Sequence, residues 1–300
     1  KTAFGQPTQI IDGGLCYFPP LQSLITVGGW GTNTNWEPLQ TVWAYKNGMW
    51  SSLPDIPTKI THTAMTYDPS RQQLVVVGGV FSDQSTWGFD GTTWQKIADP
   101  IEEISLGGDP EIIYDPEIQS LVMYYANANS ESSDTYLLQS GVWSKQTLTT
   151  QPPGAMDSAF LYDPSRKEGI WFEGNETWTW NHTQWIQKNP TNRPEMEWGY
   201  FNMAFDTIHN EAILFGNGQT WSWNGEEWTR LQPIESPTNP ERGFFAMGFD
   251  ESRDAVVLWG GELLLSMSPY QTSYLDDIWE WDGTTWQQRS STAIVNWKSY

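Results

Sequence analysis

The 300-residue chain holds a single cysteine, Cys16, and three histidines, His62, His182 and His209. One cysteine excludes an intrachain disulfide and a cysteine-based structural zinc site, and so few histidines leave little room for histidine-rich metal chemistry. Cationic residues are also scarce: 15 Lys+Arg stand against 36 Asp+Glu, a formal charge of −21. That balance excludes a general nucleic-acid binder, which needs a cationic face to displace counterions from phosphates. It also argues against a polybasic anchor on anionic lipid. No hydrophobic run approaches the ~18 residues of a membrane span, so membrane insertion is not expected. Helical periodicity of useful length is missing, as are a phosphate-binding loop, a nucleophile elbow and a dinucleotide fingerprint.

Tryptophan is abundant, with 20 residues, and a search for internal periods explains most of it. An aromatic residue followed by Trp seven positions later recurs six times: WAYKNGMW from Trp43, WGFDGTTW from Trp87, YLLQSGVW from Tyr136, WTWNHTQW from Trp178, WSWNGEEW from Trp221 and WEWDGTTW from Trp279. Pairs such as Asp90-Gly91, Asn224-Gly225 and Asp282-Gly283 between alternating apolar residues are strong hairpin signals. A second pattern precedes each copy: an aromatic residue, usually Asp, a turn, then a β-rich run. It begins at Tyr17, Tyr67, Tyr114, Tyr162, Phe205 and Phe249, with anchors 43 to 50 residues apart. Each unit therefore predicts four short strands, and six such units predict an all-β, six-bladed β-propeller with four antiparallel strands per blade. The blades read approximately as 10–55, 60–98, 107–148, 155–190, 198–233 and 242–290, in a single domain over 1–300. Each draws its strands from one continuous segment, and the tail 291–300 is expected to dock at the seam between the sixth and first blades.

The Tyr-Asp turn, the strand ending in Gly-Gly and the paired aromatics resemble kelch repeats over nearly the whole chain. The glycine doublet is intact at Gly28-Gly29, Gly78-Gly79 and Gly260-Gly261; Tyr124-Tyr125, Glu173-Gly174 and Gly216-Asn217 replace it in the other units. The resemblance implies the fold. It does not select a function, because kelch-type propellers include enzymes, lectin-like binders and interaction scaffolds. The copper-ligand pattern of tyrosines and paired histidines found in that family's radical oxidases is not visible.

Fourteen of the tryptophans fall inside the paired motifs, and Trp94, Trp185 and Trp286 are expected to be mostly buried between blades. Trp171 and Trp259 belong to second-strand runs and read as core. Trp30, Trp36 and Trp198 lie in connections on the face that carries the variable segments 28–41, 79–86, 125–135 and 260–277. Function on a rigid scaffold concentrates in such segments. His182 and His209 fall in turns of the opposite face and read as solvent-exposed, and Cys16 reads as a small buried residue.

Counting seven residues back from the position after each Tyr-Asp finds one residue per blade: Asp12, His62, Asp109, Asp157, Tyr200 and Phe244. Four adjacent ionisable groups, with Asp109, Asp157, His62 and Asp12 as candidate catalytic residues, face two adjacent aromatics. Trp198, Arg242, Trp36 and Glu197 join Tyr200 and Phe244 as candidate ligand-binding residues, with Met156, Phe201, Phe245 and Glu195 close by. Carboxylates accept hydrogen bonds from hydroxyls while rings stack on an apolar face, so the leading expectation is a carbohydrate or other small polar-aromatic ligand at the channel mouth. Two close carboxylates could instead perform hydrolase or lyase chemistry, and three carboxylates with a histidine could hold a divalent metal ion. Acids before a strand also commonly cap a turn or face water. A protein-interaction scaffold is the third reading, with Leu263-Leu264-Leu265 and Met267 its main apolar feature. Marked acidity, little lysine and the sequons at Asn175 and Asn181 suit a secreted monomer; the chain starts at Lys1 with no signal peptide, as a mature or trimmed chain would, and a cytoplasmic scaffold is the alternative.

Overall fold

The computed structural model describes residues 7, 10–31, 37–78, 83–102, 109–126, 132–155, 157–196, 201–237, 242–267 and 270–289. Every regular element among them is a β-strand, and no helix is long and apolar enough to cross a membrane. Six four-stranded antiparallel sheets follow one another along the chain. The first comprises Gly14–Phe18, Ser23–Val27, Val42–Lys46 and Met49–Leu53. The second comprises Ala64–Asp68, Gln73–Val77, Thr86–Phe89 and Trp94–Ala98, and the third Asp109–Asp115, Ser120–Ala126, Ser133–Gln139 and Val142–Lys145. The fourth holds Ala159–Asp163, Glu168–Glu173, Glu176–Trp180 and Trp185–Lys188. The fifth holds Phe201–Asp206, Glu211–Gly216, Gln219–Trp223 and Trp228–Leu231, and the sixth Ala246–Asp250, Ala255–Trp259, Ile278–Trp281 and Trp286–Arg289. The first strand of each sheet contacts the first strands of the sheets before and after it, and the sixth returns to the first. The result is a closed β-propeller around a channel, a form in which no long sheet edge is left open.

The second strand of each sheet explains why the sheets stack. Runs such as SLITV, QLVVV and AVVLW are buried at every position, so both faces must be covered, one by each neighbouring sheet. Each of the six junctions has its own apolar cluster. At the seam between the sixth and first sheets, Trp50 packs on Trp259 with ring centroids 4.8 Å apart. The Arg253 guanidinium lies 4.9 Å above the Tyr45 ring and pairs with Glu280, which Arg289 also reaches at 2.6 Å. Described residues thus close the seam; the segment 291–300, expected to dock there, lies outside them.

The Tyr-Asp turns owe their recurrence to a buried carboxylate. Asp68, Asp115, Asp163, Asp206 and Asp250 are all buried, and each takes turn amides from the following residues. In four of the five the side-chain partner stands three residues on: Arg71, Arg166, His209 and Arg253. Asp115 has Ile118 at that position, and His182 of the fourth sheet supplies the partner, with its Nδ1 2.9 Å from Oδ2. The expectation of a solvent-exposed His182 is therefore corrected: it is partly buried against the Asp115 carboxylate, because a buried charge must be paired; His209 is exposed as expected, and its ring still reaches Asp206. The first sheet has Phe18 instead of Asp and fills the same place with fully buried apolar volume.

Indole N–H groups tie neighbouring sheets together. Trp143, Trp185, Trp228 and Trp286 donate to Thr86, Thr135, Thr177 and Thr220 of the preceding sheet, at 2.7, 2.8, 2.9 and 2.9 Å. Val42 and Ile278 stand where that threonine would be in the first and sixth sheets. Trp94 accordingly donates to Pro54 O at 2.9 Å and is only half-buried, against the expectation of full burial; Trp185 and Trp286 are buried as expected.

Two segments read as loops are hairpins. Trp30–Gly31 and Glu37–Pro38 pair with each other, and Ile10–Ile11 joins them. Glu262–Met267 and Tyr270–Tyr274 form a second hairpin joined by Arg242–Gly243. The glycine doublets permit both. Gly28 and Gly261 have φ of 66° and 97°, and a Cβ on either would strike the incoming backbone at Ile60 or Gly243. Where the doublet is lost in the fourth and fifth sheets, the strands are joined by tight turns at Gly174 and at Asn217-Gly218.

Candidate functional site

The innermost strands enclose a channel cavity of about 390 Å³, bounded by all six sheets. At one mouth stand Asp12, His62, Asp157 and Phe244. Each lies two residues before the first residue of its innermost strand, and their φ angles are 56°, 48°, 63° and 54°. One left-handed conformation, repeated in four sheets, presents four equivalent side chains at the same depth. Asp and His tolerate this region better than most residues, whereas a bulky phenylalanine there is strained; strain of this kind concentrates at functional sites and costs about 1–3 kcal/mol.

The third sheet departs from the pattern. Its innermost strand already starts at Asp109, which pairs with Ala126; the residues just before it and the Asp109 side chain lie outside the described residues. Glu111, two positions further in, lines the cavity from this sheet. Counting from Tyr-Asp set the depth correctly but not where the strand begins, and the two-residue alternation Asp109-Pro110-Glu111 was the available signal. Tyr200, Trp198, Glu197 and Trp36, and with them Met156, lie outside the described residues. Arg242 is corrected: instead of lining the cavity it is 2% exposed, with Nη1 and Nη2 on the Asp277 carboxylate at 2.8 and 2.7 Å and Nη1 on Gly260 O at 3.0 Å. It braces the second hairpin against the sixth sheet.

The polar side of the mouth spans the first four sheets. His62 Nε2 lies 3.9 Å from Asp12 Oδ2, with both side chains partly exposed, and His62 Nδ1 is 3.4 Å from the hydroxyl of buried Thr61. In the fourth sheet, burial first and then the charges of Glu176 and Asp157 raise the Glu173 carboxyl above the usual range. The other two sheets contribute an aromatic side. Phe201 and Phe245 are buried and backed edge-on by Phe172 and Phe215, at 5.3 and 5.7 Å, while Phe244 remains half-buried. Asn202 is held between them, donating to Phe245 O at 3.1 Å and accepting from Met203 N at 2.8 Å. Cys16 also lines the channel, but burial pushes its thiol up to about 12, so it offers no thiolate nucleophile at neutral pH. Among the described residues no three His, Cys, Asp or Glu side chains come together to hold a metal ion.

Crowding of Glu173 has a measurable consequence. Its folded-state pKa lies above the unfolded one, so the protein has its full stability only below the unfolded pKa and loses it as pH rises through the folded pKa. Glu173→Gln is expected to raise the melting temperature at neutral pH, with the gain vanishing by about pH 4. Melting curves across that range test it, and a gain independent of pH would remove the electrostatic explanation.

No family model matches the sequence, and no curated protein matches it. Solved structures share the fold. The structure of YjhT superposes with a TM-score of 0.66 at 9% identity, covering 95% of this chain and 99% of that one. A mutant lectin from Aleuria aurantia, solved in complex with alpha-methyl-L-fucoside and with Fucalpha1-6GlcNAc, superposes with a TM-score of 0.60 at 12% identity, covering 97% of this chain and 100% of the lectin. At such identities the likeness is one of fold.

Proposed function

We propose that the chain is a six-bladed, kelch-type propeller that binds a carbohydrate at the channel mouth carrying Asp12, His62, Glu111, Asp157 and Phe244. The observation that carries this reading is the division of the mouth. Hydrogen-bonding side chains occupy four consecutive sheets, and an aromatic surface occupies the remaining two. A sugar ring presents the complementary pair of surfaces, hydroxyls on its edge and C–H groups on a face. The Aleuria aurantia lectin, whose fold this chain shares, is complexed with fucosides, which makes α-methyl-fucoside a rational first probe among neutral monosaccharides. Acidity and low lysine content support a secreted location for such a binder.

A second reading rests on the Asp12–His62 pair. An acid beside a histidine at an open mouth suits general acid–base chemistry, so a carbohydrate-active hydrolase or lyase is the alternative. Sugar binding without turnover supports the lectin; turnover lost in His62→Ala supports the enzyme.

Calorimetric titration against a panel of monosaccharides is the test of the binding reading. Asp157→Asn should lower affinity at least ~10-fold, the loss of a charge-assisted hydrogen bond, with an unchanged melting curve. Phe244→Gly should also weaken binding while leaving the melting temperature equal or higher, because glycine relieves the left-handed strain. Full affinity in both variants would move the site away from this mouth.

A further inference from the structure

The glycine doublet that follows the second strand of the first and sixth sheets is replaced by Tyr124-Tyr125 in the third. The exchange bears on Asp157. In three sheets the connection that leads to the innermost strand is held by the end region of the preceding sheet's second strand. Gly29 N donates to Ile60 O at 2.9 Å, two residues before His62, and Met196 N donates to Gly174 O at 2.8 Å on the way into the fifth sheet. Both are main-chain bonds. On the way into the fourth sheet a side chain takes their place.

Tyr124 is fully buried. Its ring packs on Trp171 and Trp185 of the fourth sheet, with centroids 5.3 and 6.4 Å away. Its hydroxyl donates to Pro153 O at 2.5 Å and accepts from Ala155 N at 3.1 Å. Beside this bracket, Ser133 Oγ donates to Pro152 O at 2.5 Å and Gln151 Nε2 donates to Ser133 O. Gly154 lies so close to the third sheet that a Cβ would strike the Ser132 backbone. Prolines at 152 and 153 fix φ and remove two N–H groups, so few main-chain groups remain by which the segment can be held.

Asp157 comes two residues after Ala155, lines the cavity and has a φ of 63°. A left-handed residue of this kind persists only where its surroundings fix the chain on both sides. Pairing of Ala159–Asp163 with the next strand fixes the far side, and the Tyr124 hydroxyl fixes the near side. We propose that Tyr124 is a positioning residue for Asp157: by holding Pro153 and Ala155 it sets the depth and direction at which the carboxylate meets a ligand. The proposal rests on the reading of this mouth as the binding site. A binding group held from behind in this way keeps its geometry before the ligand arrives, and small displacements of such a group weaken recognition.

Tyr124→Phe keeps the ring and removes both hydrogen bonds. The probe is α-methyl-fucoside, or, where another monosaccharide of the panel binds more tightly, that sugar, titrated calorimetrically into the full chain. Tyr124→Phe should weaken binding about 5-fold, and hydrogen exchange at the Ala155 amide should quicken at least ~10-fold. In Asp157→Asn the same substitution should weaken binding less than ~2-fold further, because the carboxylate it positions is gone. In Phe244→Gly the full loss of about 5-fold should persist. Thr86→Val is the structural control. It removes a buried hydrogen bond from Trp143 between the second and third sheets, and should lower the melting temperature, as Tyr124→Phe does, with affinity unchanged. Full affinity in folded Tyr124→Phe, unchanged exchange at Ala155, an undiminished loss in the Asp157→Asn background, or an equal loss of affinity in Thr86→Val would each overturn the proposal. A wild-type chain that binds no sugar of the panel, or whose affinity Asp157→Asn leaves untouched, overturns the reading of the mouth itself, and the proposal with it.

Discussion

Replacing Trp286 by alanine is expected to destabilise the protein by about 3–5 kcal/mol, the range for a large aromatic removed from a core. Trp286 is fully buried between the fifth and sixth sheets. It packs on Trp281 and Phe215 at 5.6 and 5.5 Å and donates its indole N–H to Thr220. The same substitution at Trp228 should behave alike, since that ring is buried and bonded to Thr177 in the same way. At Trp94, half-buried and bonded to a backbone carbonyl at the surface, the loss should be nearer about 1–2 kcal/mol, in proportion to the smaller area removed from water. Denaturant titrations of the three variants decide the matter. Equal losses at Trp94 and Trp286 would mean that burial between sheets does not set the contribution of these rings.

The second large effect is expected at Asp115. His182→Leu leaves a fully buried carboxylate without its imidazole partner, retaining the Trp180 indole at 3.1 Å and the turn amide of Glu117. Breaking a buried pair from one side typically costs about 3–5 kcal/mol, and the indole and amide that remain place the expected loss at about 2–4 kcal/mol. The other turns suggest the repair. Asp68, Asp163 and Asp250 are each met by an arginine three residues later, and Ile118 occupies that position after Asp115. Adding Ile118→Arg to His182→Leu should restore most of the lost stability, whereas Ile118→Arg alone should gain little because Asp115 is already partnered. A double-mutant cycle measures this coupling; strict additivity would falsify the idea that arginine and histidine serve one carboxylate.

Both results separate what local pattern discloses from what it cannot. The strands were legible because hairpin signals such as Asp282-Gly283 and apolar runs such as QLVVV depend on neighbours in sequence. The depth of the mouth was legible for the same reason: Asp12, His62, Asp157 and Phe244 hold one position in a repeat, and the shared left-handed backbone shows that the repeat includes conformation. Glu111 was missed because the third innermost strand begins two residues earlier than most of the others, a shift set by pairing with Ala126 and Tyr125 of the next strand rather than by its own residues. Arg242 was misread because its partner, Asp277, lies 35 residues away across an insertion that the sequence shows only as a variable loop.

The sequence by itself determined the unit: four strands, a buried acid or its apolar replacement at the first turn, and a tryptophan on the last strand. Those features follow from turn chemistry and alternation, which act over a few residues. Only the tertiary structure decided which units meet. That Trp286 reaches Thr220 while Trp94 finds no threonine, and that His182 serves Asp115, are consequences of closing the ring. Closure brings together residues 50 or more positions apart, and their contacts depend on the distance and angle between sheets, which no local run of residues encodes.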